Sequence, residues 1–304
     1  MQAFIGVLIA GGRNWKKLHT SEMWTENELF KQPYFTAVLS KNRFNEIYMH
    51  IRFDDPTTRN DRTEATGDKL EAVRQIYDSI VKNCIANFSP GTNITVDERL
   101  ATFRGKCPFK MYIKSKPGRY GIKIWICADS KTAYILNSLV YTGMISNQRE
   151  INQGQRVVLD MVRPYFGSRR GVITYNFFTS IPLAQELFNQ RLTITGTVRT
   201  NKRAVLKEFL PHTSRSENTS LFGFSNHLTL VSYFVENNNV TVPKKKKAVL
   251  LLFTQFHGND TTGDEKNKPE INIHYNKTKG AVDTGDKMTG EYTCVRATRR
   301  WPCK

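Results

Sequence analysis

Hydrophobic positions first recur along the chain with a helical period. In NRFNEIYMHIRF, Phe44, Ile47, Tyr48 and Ile51 fall at i, i+3, i+4 and i+7, which places them on one helix face. The same period dominates from Gln2 to about Phe53. The polar run from Asp54 to Asp68, broken by Pro56, predicts a loop. A second helical stripe follows, Leu70, Val73, Ile76, Tyr77, Ile80, Val81 and Cys84, and reads as a core-facing side.

Beyond Asn93 the period shortens to that of strands. NITVDERLATF alternates, with Thr95, Asp97 and Arg99 on one face and Ile94, Val96 and Leu100 largely on the other. GIKIWICADS and TAYILNSLVYTG predict two more strands joined by a turn at Asp129-Ser130-Lys131, an antiparallel meander. A helix over about 155–165 follows, then a short strand from Val172 to Tyr175. A helix over about 179–189 and the strand RLTITGTV complete the run. Three strands, helix, strand, helix, strand is the element order of a ribonuclease H-like core, an α+β fold with a mixed sheet. From Thr200 to about Lys268 the composition shifts, with two β-rich runs, and predicts an inserted subdomain. HYNKTKGAVDTGDKM then opens a final helix. The expected division is a helical region over 1–92, the first part of the core over 93–202, the insertion over 203–268 and the last core helix over 269–304.

Composition sharpens this picture at one point, charge. The 304 residues carry 45 Lys plus Arg against 27 Asp plus Glu, a formal net charge of +18. A surplus of that size points to a polyanion partner, with nucleic acid first. It concentrates in RGKCPFKMYIKSKPGRYGIK, where Arg104, Lys106, Lys110, Lys114, Lys116, Arg119 and Lys123 interleave with Phe103, Phe109, Tyr112 and Tyr120. That mixture suits phosphate contacts with base stacking, and a solvated loop is the plain alternative. Lys202 and Arg203 in TNKR, and the arginines of ATRR, are further phosphate candidates. KKKK at Lys244–Lys247 reads either as charged padding before a strand or as a nuclear import signal. The five cysteines are scattered and form no CxxC pair, so no zinc site is expected. No apolar run reaches the ~18 residues of a membrane span.

Three acids are candidates for chemistry. Asp97 sits mid-strand next to the apolar Val96, where a carboxylate is paired or metal-bound; Arg99 or Lys123 are the bland partners. Asp283 and Asp286, three apart near a helix start, share a face, and acids there also simply complement the helix dipole.

The motifs ITVDERLATFRGKCPFKMYIKSKPGRYGIKIWICADS, NFFTSIPLAQELF, LTITGTVRTNKR, LTLVSYF, YNKTKGAVDTGDKM and TRRWP run in order along nearly the whole chain. In that set the chain resembles piggyBac transposases and the proteins derived from them. The resemblance implies a DNA transposase fold with a domain inserted in a ribonuclease H-like core. It implies Mg2+-dependent cut-and-paste chemistry at transposon ends, with insertion at TTAA. By position, the family's first catalytic and metal-binding aspartate matches Asp97, its third Asp283, and an accessory one Asp286. The second falls on Tyr175, followed by the family's Asn-aromatic-Phe-Thr-Ser as Asn176 to Ser180. A phenol is neutral at pH 7 and a poor ligand for a hard cation, so Mg2+ binding is expected to be weakened. The family continues past RWP into further helices, often with a cysteine-rich zinc module, and the expectation is a chain without either and with its first helix already under way at Phe4. The resemblance also implies a nuclear protein, homodimeric where those further segments are present. Three readings follow: a transposase-derived DNA-binding domain with impaired catalysis, an active Mg2+-dependent transposase in which Asp129 or Asp160 compensates, and a non-catalytic chromatin-associated scaffold.

Overall fold

The computed structural model describes residues 1–13, 20–143, 150–212, 215–235, 247–255, 258–295, 298 and 300–303. The chain opens with helices α1 (Gln2–Arg13), α2 (Thr20–Met23), α3 (Pro33–Val38), α4 (Lys41–His50), α5 (Arg59–Thr66) and α6 (Arg74–Ala86). Ser40 caps α4 by accepting from the Arg43 amide, which satisfies one of the free amides of the first turn. Phe4, Val7, Met23, Trp24, Phe35 and Phe44 close a small core of their own, so the helical stripe read around Phe44 is a packed face.

The 54–68 stretch is not the plain loop its polarity suggests. It contains α5, because Asp54 draws in both Arg59 and Arg62 (2.5 and 2.8 Å) and Gly67 ends the helix at φ 66°, a left-handed value that glycine adopts without strain. The stripe on α6 also departs from expectation. No residue of α6 is buried, and Ile76 and Ile80 are 42% and 54% exposed. Its contacts to the sheet include Tyr77 Oη, which meets Ser138 Oγ at 2.7 Å, and the Cys84 carbonyl, which accepts from Tyr134 at 3.4 Å.

The rest is built on one sheet: β1 (Asn93–Thr102), β2 (Met111–Tyr112), β3 (Tyr120–Asp129) and β4 (Ile135–Val140), then β5 (Gly171–Thr174), β6 (Thr193–Thr197), β7 (Ser220–Ser225), β8 (Leu228–Val235) and β9 (Lys247–Phe253). Its order is β2-β3-β1-β5-β6-β9-β8-β7, with β4 also on β3. The meander β1-β3-β4 is antiparallel, whereas β1-β5 and β5-β6 are parallel, the mixture read from the element order. The β-rich stretch joins this sheet through β9, which pairs antiparallel with β6. Lys244 to Lys246 lie outside the described residues, and Lys247 is the first residue of β9.

Helices α7 (Gln153–Val162) and α8 (Ile181–Asn189) cover one face of the sheet. Ile94, Val96, Trp125 and Cys127 meet Val157, Val158, Met161, Leu183 and Leu187 there. The predicted final helix is two: α9 (Glu270–Thr278) and α10 (Ala281–Glu291), separated at Lys279-Gly280. They cover the opposite face, with Ile173 against Ile271 and Tyr275 and Ile126 and Ala128 against Ala281 and Val282. The RWP motif ties the helical region to the sheet. Arg300 donates to the carbonyls of Tyr48, Met49 and Ile51 (3.3, 2.7 and 2.6 Å), the free carbonyls at the end of α4. Trp301 meets Phe109 edge-on at 5.0 Å. Arg300, read as a phosphate contact, is a helix cap.

Candidate active site

Strand pairing brings two of the predicted positions together. β1 and β5 run parallel with Thr95 opposite Ile173 and Val96 opposite Thr174. Asp97 is the next residue of β1 and Tyr175 the first residue past the end of β5, close enough for the charge of Asp97 to act on the Tyr175 hydroxyl. Both belong to the face under α9 and α10, since Ile173 packs on Tyr275 and Thr95 Oγ1 donates to the Thr278 carbonyl at 2.8 Å. The sequence therefore puts a phenol where the arrangement of strands offers a place for a second carboxylate.

Asp97 is 9% exposed. Burial pushes its pKa up to about 6, and the charges of Asp283 and Glu98 add to the rise; the Glu98 backbone amide and the Lys116 ammonium oppose it. Lys116 reaches back from the following loop and donates to the Glu98 carbonyl at 3.2 Å. Asp283 is exposed in the first turn of α10, close enough for its charge to act on both Asp97 and Tyr175.

The Tyr175 hydroxyl donates to the Lys279 carbonyl at 3.0 Å, at the junction between α9 and α10. Its ring lies edge-on to Tyr275 at 6.2 Å. Burial first, then the charges of Asp97, Tyr275 and Asp283, drive its pKa well above the usual phenol range, so the group is a neutral hydrogen-bond donor. Burial likewise pushes Tyr275 up to about 12.

Asp286 faces Arg99, with Nε 2.8 Å from Oδ1. The contact is Coulombic only, because the Arg99 N–H is not aimed at that oxygen and makes no hydrogen bond. Asp97 has neither Arg99 nor Lys123 as an ion-pair partner: Lys123 pairs with Glu98 at 2.6 Å. These residues do not fit a pair of divalent ions. One carboxyl is buried with its pKa raised to about 6, one sits on an arginine, and the position just past β5 carries a phenol already committed to a carbonyl. Among the described residues, no three His, Cys, Asp or Glu side chains group as metal donors. The two acids considered as substitutes have other tasks. Asp129 accepts from the amides of Gly91, Lys131 and Thr132 and the Thr132 hydroxyl, clamping the turn at the far end of β3. Asp160 pairs with Arg156 and Arg163.

The basic segment divides. Arg104, Lys106, Lys114 and Arg119 are exposed. Lys110 donates to the Gly105 carbonyl at 2.9 Å, and Lys116 is spent on Glu98. Lys123 stands over the Trp125 and Phe177 rings at 5.5 and 5.2 Å, a cation–π arrangement inside the fold. Phe103 and Phe109, considered for base stacking, are buried with Leu70 and Ile122; Tyr112 and Tyr120 are exposed. Lys202 donates to the Thr179 carbonyl at 3.0 Å, and burial lowers its pKa. Arg203 is exposed, and Arg199 donates to Asn176 Oδ1 at 3.2 Å. Tyr275, Glu98 and the Lys279 carbonyl were not singled out from sequence. Gly280 was the available signal, since it breaks the helix that holds them.

Comparison with known proteins agrees with this frame. A family model described as Transposase IS4 matches residues 1–304. The chain is 23% identical over 310 residues to human PiggyBac transposable element-derived protein 3, covering 99% of the chain and 51% of that protein. It is equally similar to the human Chimeric ERCC6-PGBD3 protein, covering 28% of it. Among solved structures it superposes with a TM-score of 0.87 and 38% identity on a chain of a piggyBac transposase synaptic complex with hairpin DNA, covering 99% of this chain and 60% of that one. The chain thus spans about half or less of the curated relatives it matches, and its sheet is that of a ribonuclease H-like core.

Proposed function

The chain belongs to the piggyBac-type transposase family, and from that premise we propose that it is a DNA-binding domain derived from such a transposase with its strand-cleaving chemistry impaired. One observation carries the reading: Tyr175, just past the end of β5 and within reach of the Asp97 charge, is a neutral phenol hydrogen-bonded to the Lys279 carbonyl. Membership points to divalent-metal chemistry in general, and a metal pair needs anionic oxygen ligands around it. Asp97, Asp283 and Asp286 are the residues positioned for such ligation, and they fall short as a set. DNA binding is supported by the net charge of +18 and the exposed Arg104, Lys106, Lys114, Arg119 and Arg203. It is supported too by the likeness to a transposase solved with hairpin DNA. A nuclear location and recognition of transposon ends or TTAA targets extend this proposal, as does pairing of two chains where the family's further segments are present. No helix among the described residues is long and apolar enough to cross a membrane.

The test is a nicking assay on supercoiled plasmid with Mg2+ or Mn2+, run beside a binding titration over a salt series. Binding that weakens steeply with salt, without nicking, is the expected result. Metal-dependent nicking that disappears in Asp97→Ala would overturn the impairment. Absence of any DNA binding would overturn the whole reading.

A further inference from the structure

The segment after β1 holds a feature that phosphate binding alone leaves unexplained. Tyr112 and Tyr120 stand directly opposite each other across the β2–β3 pair, ring centroids 4.9 Å apart and planes inclined at 52°. They are 51% and 47% exposed, while the other two aromatic residues of the segment, Phe103 and Phe109, are buried. The rings sit beside an open cleft lined by Arg104, Lys110, Arg119 and Tyr120. The side chains of Arg104 and Arg119 have neither a hydrogen bond nor an ion pair among the described residues, in a molecule where Arg59, Arg62, Arg74 and Arg156 all pair with acids.

The local backbone is arranged to hold this geometry. Arg119 has φ 53°, a left-handed value that costs a non-glycine residue free energy. It is kept there by its own amide, which donates to the Lys116 carbonyl at 3.0 Å, and by the Ile113 amide, which donates to the Arg119 carbonyl at 2.7 Å. Gly118 packs so closely on Thr102 that an added Cβ would lie 2.3 Å from Oγ1, so the turn is seated firmly on the end of β1. The cleft lies at the carboxyl end of β1, about 17 Å along the strand from Asp97 at ~3.3 Å per residue.

A face of an aromatic ring next to two unpaired guanidiniums recognises a flat π system that carries phosphate on either side. Paired bases inside a duplex hide their faces in the stack, whereas an unpaired base presents both. We propose that Tyr112, Tyr120, Arg104 and Arg119 form a seat for one unpaired nucleotide of DNA, its base stacked on a tyrosine ring and its flanking phosphates held by the two guanidiniums. The proposal rests on the DNA-binding reading above and narrows it to a DNA form, an end or junction with a single-stranded base.

The test uses the full chain and two fluorescein-labelled duplexes of equal nucleotide number, one blunt and one with a short single-stranded overhang. A second overhang probe carries 2-aminopurine at an overhang position. The wild type is expected to prefer the overhang on the order of ten-fold, the scale of one stacked base, and to quench the 2-aminopurine. Tyr112→Ala with Tyr120→Ala removes both the preference and the quenching. Tyr112→Phe with Tyr120→Phe retains both. Arg104→Gln with Arg119→Gln weakens overhang binding and makes its salt dependence shallower. Equal affinity for the two duplexes in the wild type overturns the seat and leaves DNA binding standing, as does a preference that survives the alanine variant. Failure to bind either duplex overturns the DNA reading itself.

Discussion

Two neighbouring regions of β1 treat charge in opposite ways. Around Asp97 the polar groups are turned inward: Asp286 lies on Arg99, Tyr175 donates to Lys279, and Asp97 is buried enough to hold a proton near pH 6. In the loop that follows, Arg104, Lys106, Lys114 and Arg119 face outward, and the Arg104 and Arg119 guanidiniums are unpaired. On the reading proposed above, the first region holds a divalent cation weakly. The second keeps the cationic surplus that draws a polyanion. On that reading binding and cleavage are separable, since the groups proposed for each sit on different stretches of the same strand and loop.

The comparison breaks most visibly if position 175 is changed. Tyr175→Asp removes the bond to Lys279 and sets a second carboxylate beside Asp97, facing a carbonyl that offers no donor. We expect a loss of about 2–4 kcal/mol in metal-free buffer, the scale of an uncompensated charge in a partly buried site. Urea unfolding measures it, and added Mn2+ should recover part of the loss in this variant and not in the wild type. An unchanged midpoint would show that the phenol is not packed as described.

Asp97→Asn sharpens the same side. The folded pKa of about 6 lies above the ordinary ~4 of an aspartate. The folded chain therefore binds the extra proton, and the Asp97 contribution to stability is full below about pH 4 and lost as pH rises through about 6. Asparagine removes that penalty. It should stabilise the chain by on the order of 2 kcal/mol at pH 7, with the gain fading toward pH 4 and duplex affinity unaltered. A gain independent of pH would assign the effect to packing.

The smallest expected effect is at Arg99→Gln. Its partner Asp286 has a side chain 45% exposed, and pairs of that kind contribute less than about 1 kcal/mol. A larger loss in thermal melting would mean that Arg99 holds α10 onto the sheet, and not merely a charge.

Much of the fold was legible because periodicity and turn chemistry agree over β1, β3, β4, β5 and β6, whereas the two-residue β2 was not read. The alternation at Ile94, Val96 and Asp97 fixes one strand, and Ser180 with Pro182 marks the start of α8, where Ser180 accepts from the Leu183 amide. Other features depend on partners distant in sequence. α5 hides in a polar run because ion pairs to Asp54, not apolar burial, hold it. The stripe on α6 resembles a core face, yet no residue of that helix is buried. At the site, the position of Tyr175 beside Asp97 was readable from motif order. That its hydroxyl binds Lys279 was not, because no local pattern links residues 104 positions apart. Arg300 shows the same limit: an arginine in a basic motif reads as a phosphate ligand until the end of α4 is seen in front of it.

The central claim is that the phenol at 175 leaves this site without a place for a metal pair. Calorimetric titration of Mn2+ into the wild type and Tyr175→Asp tests it most directly. The account predicts no saturable two-ion uptake by the wild type and measurable uptake by the variant. Uptake of two ions by the wild type, with the affinity of the variant and lost in Asp97→Asn, would contradict it.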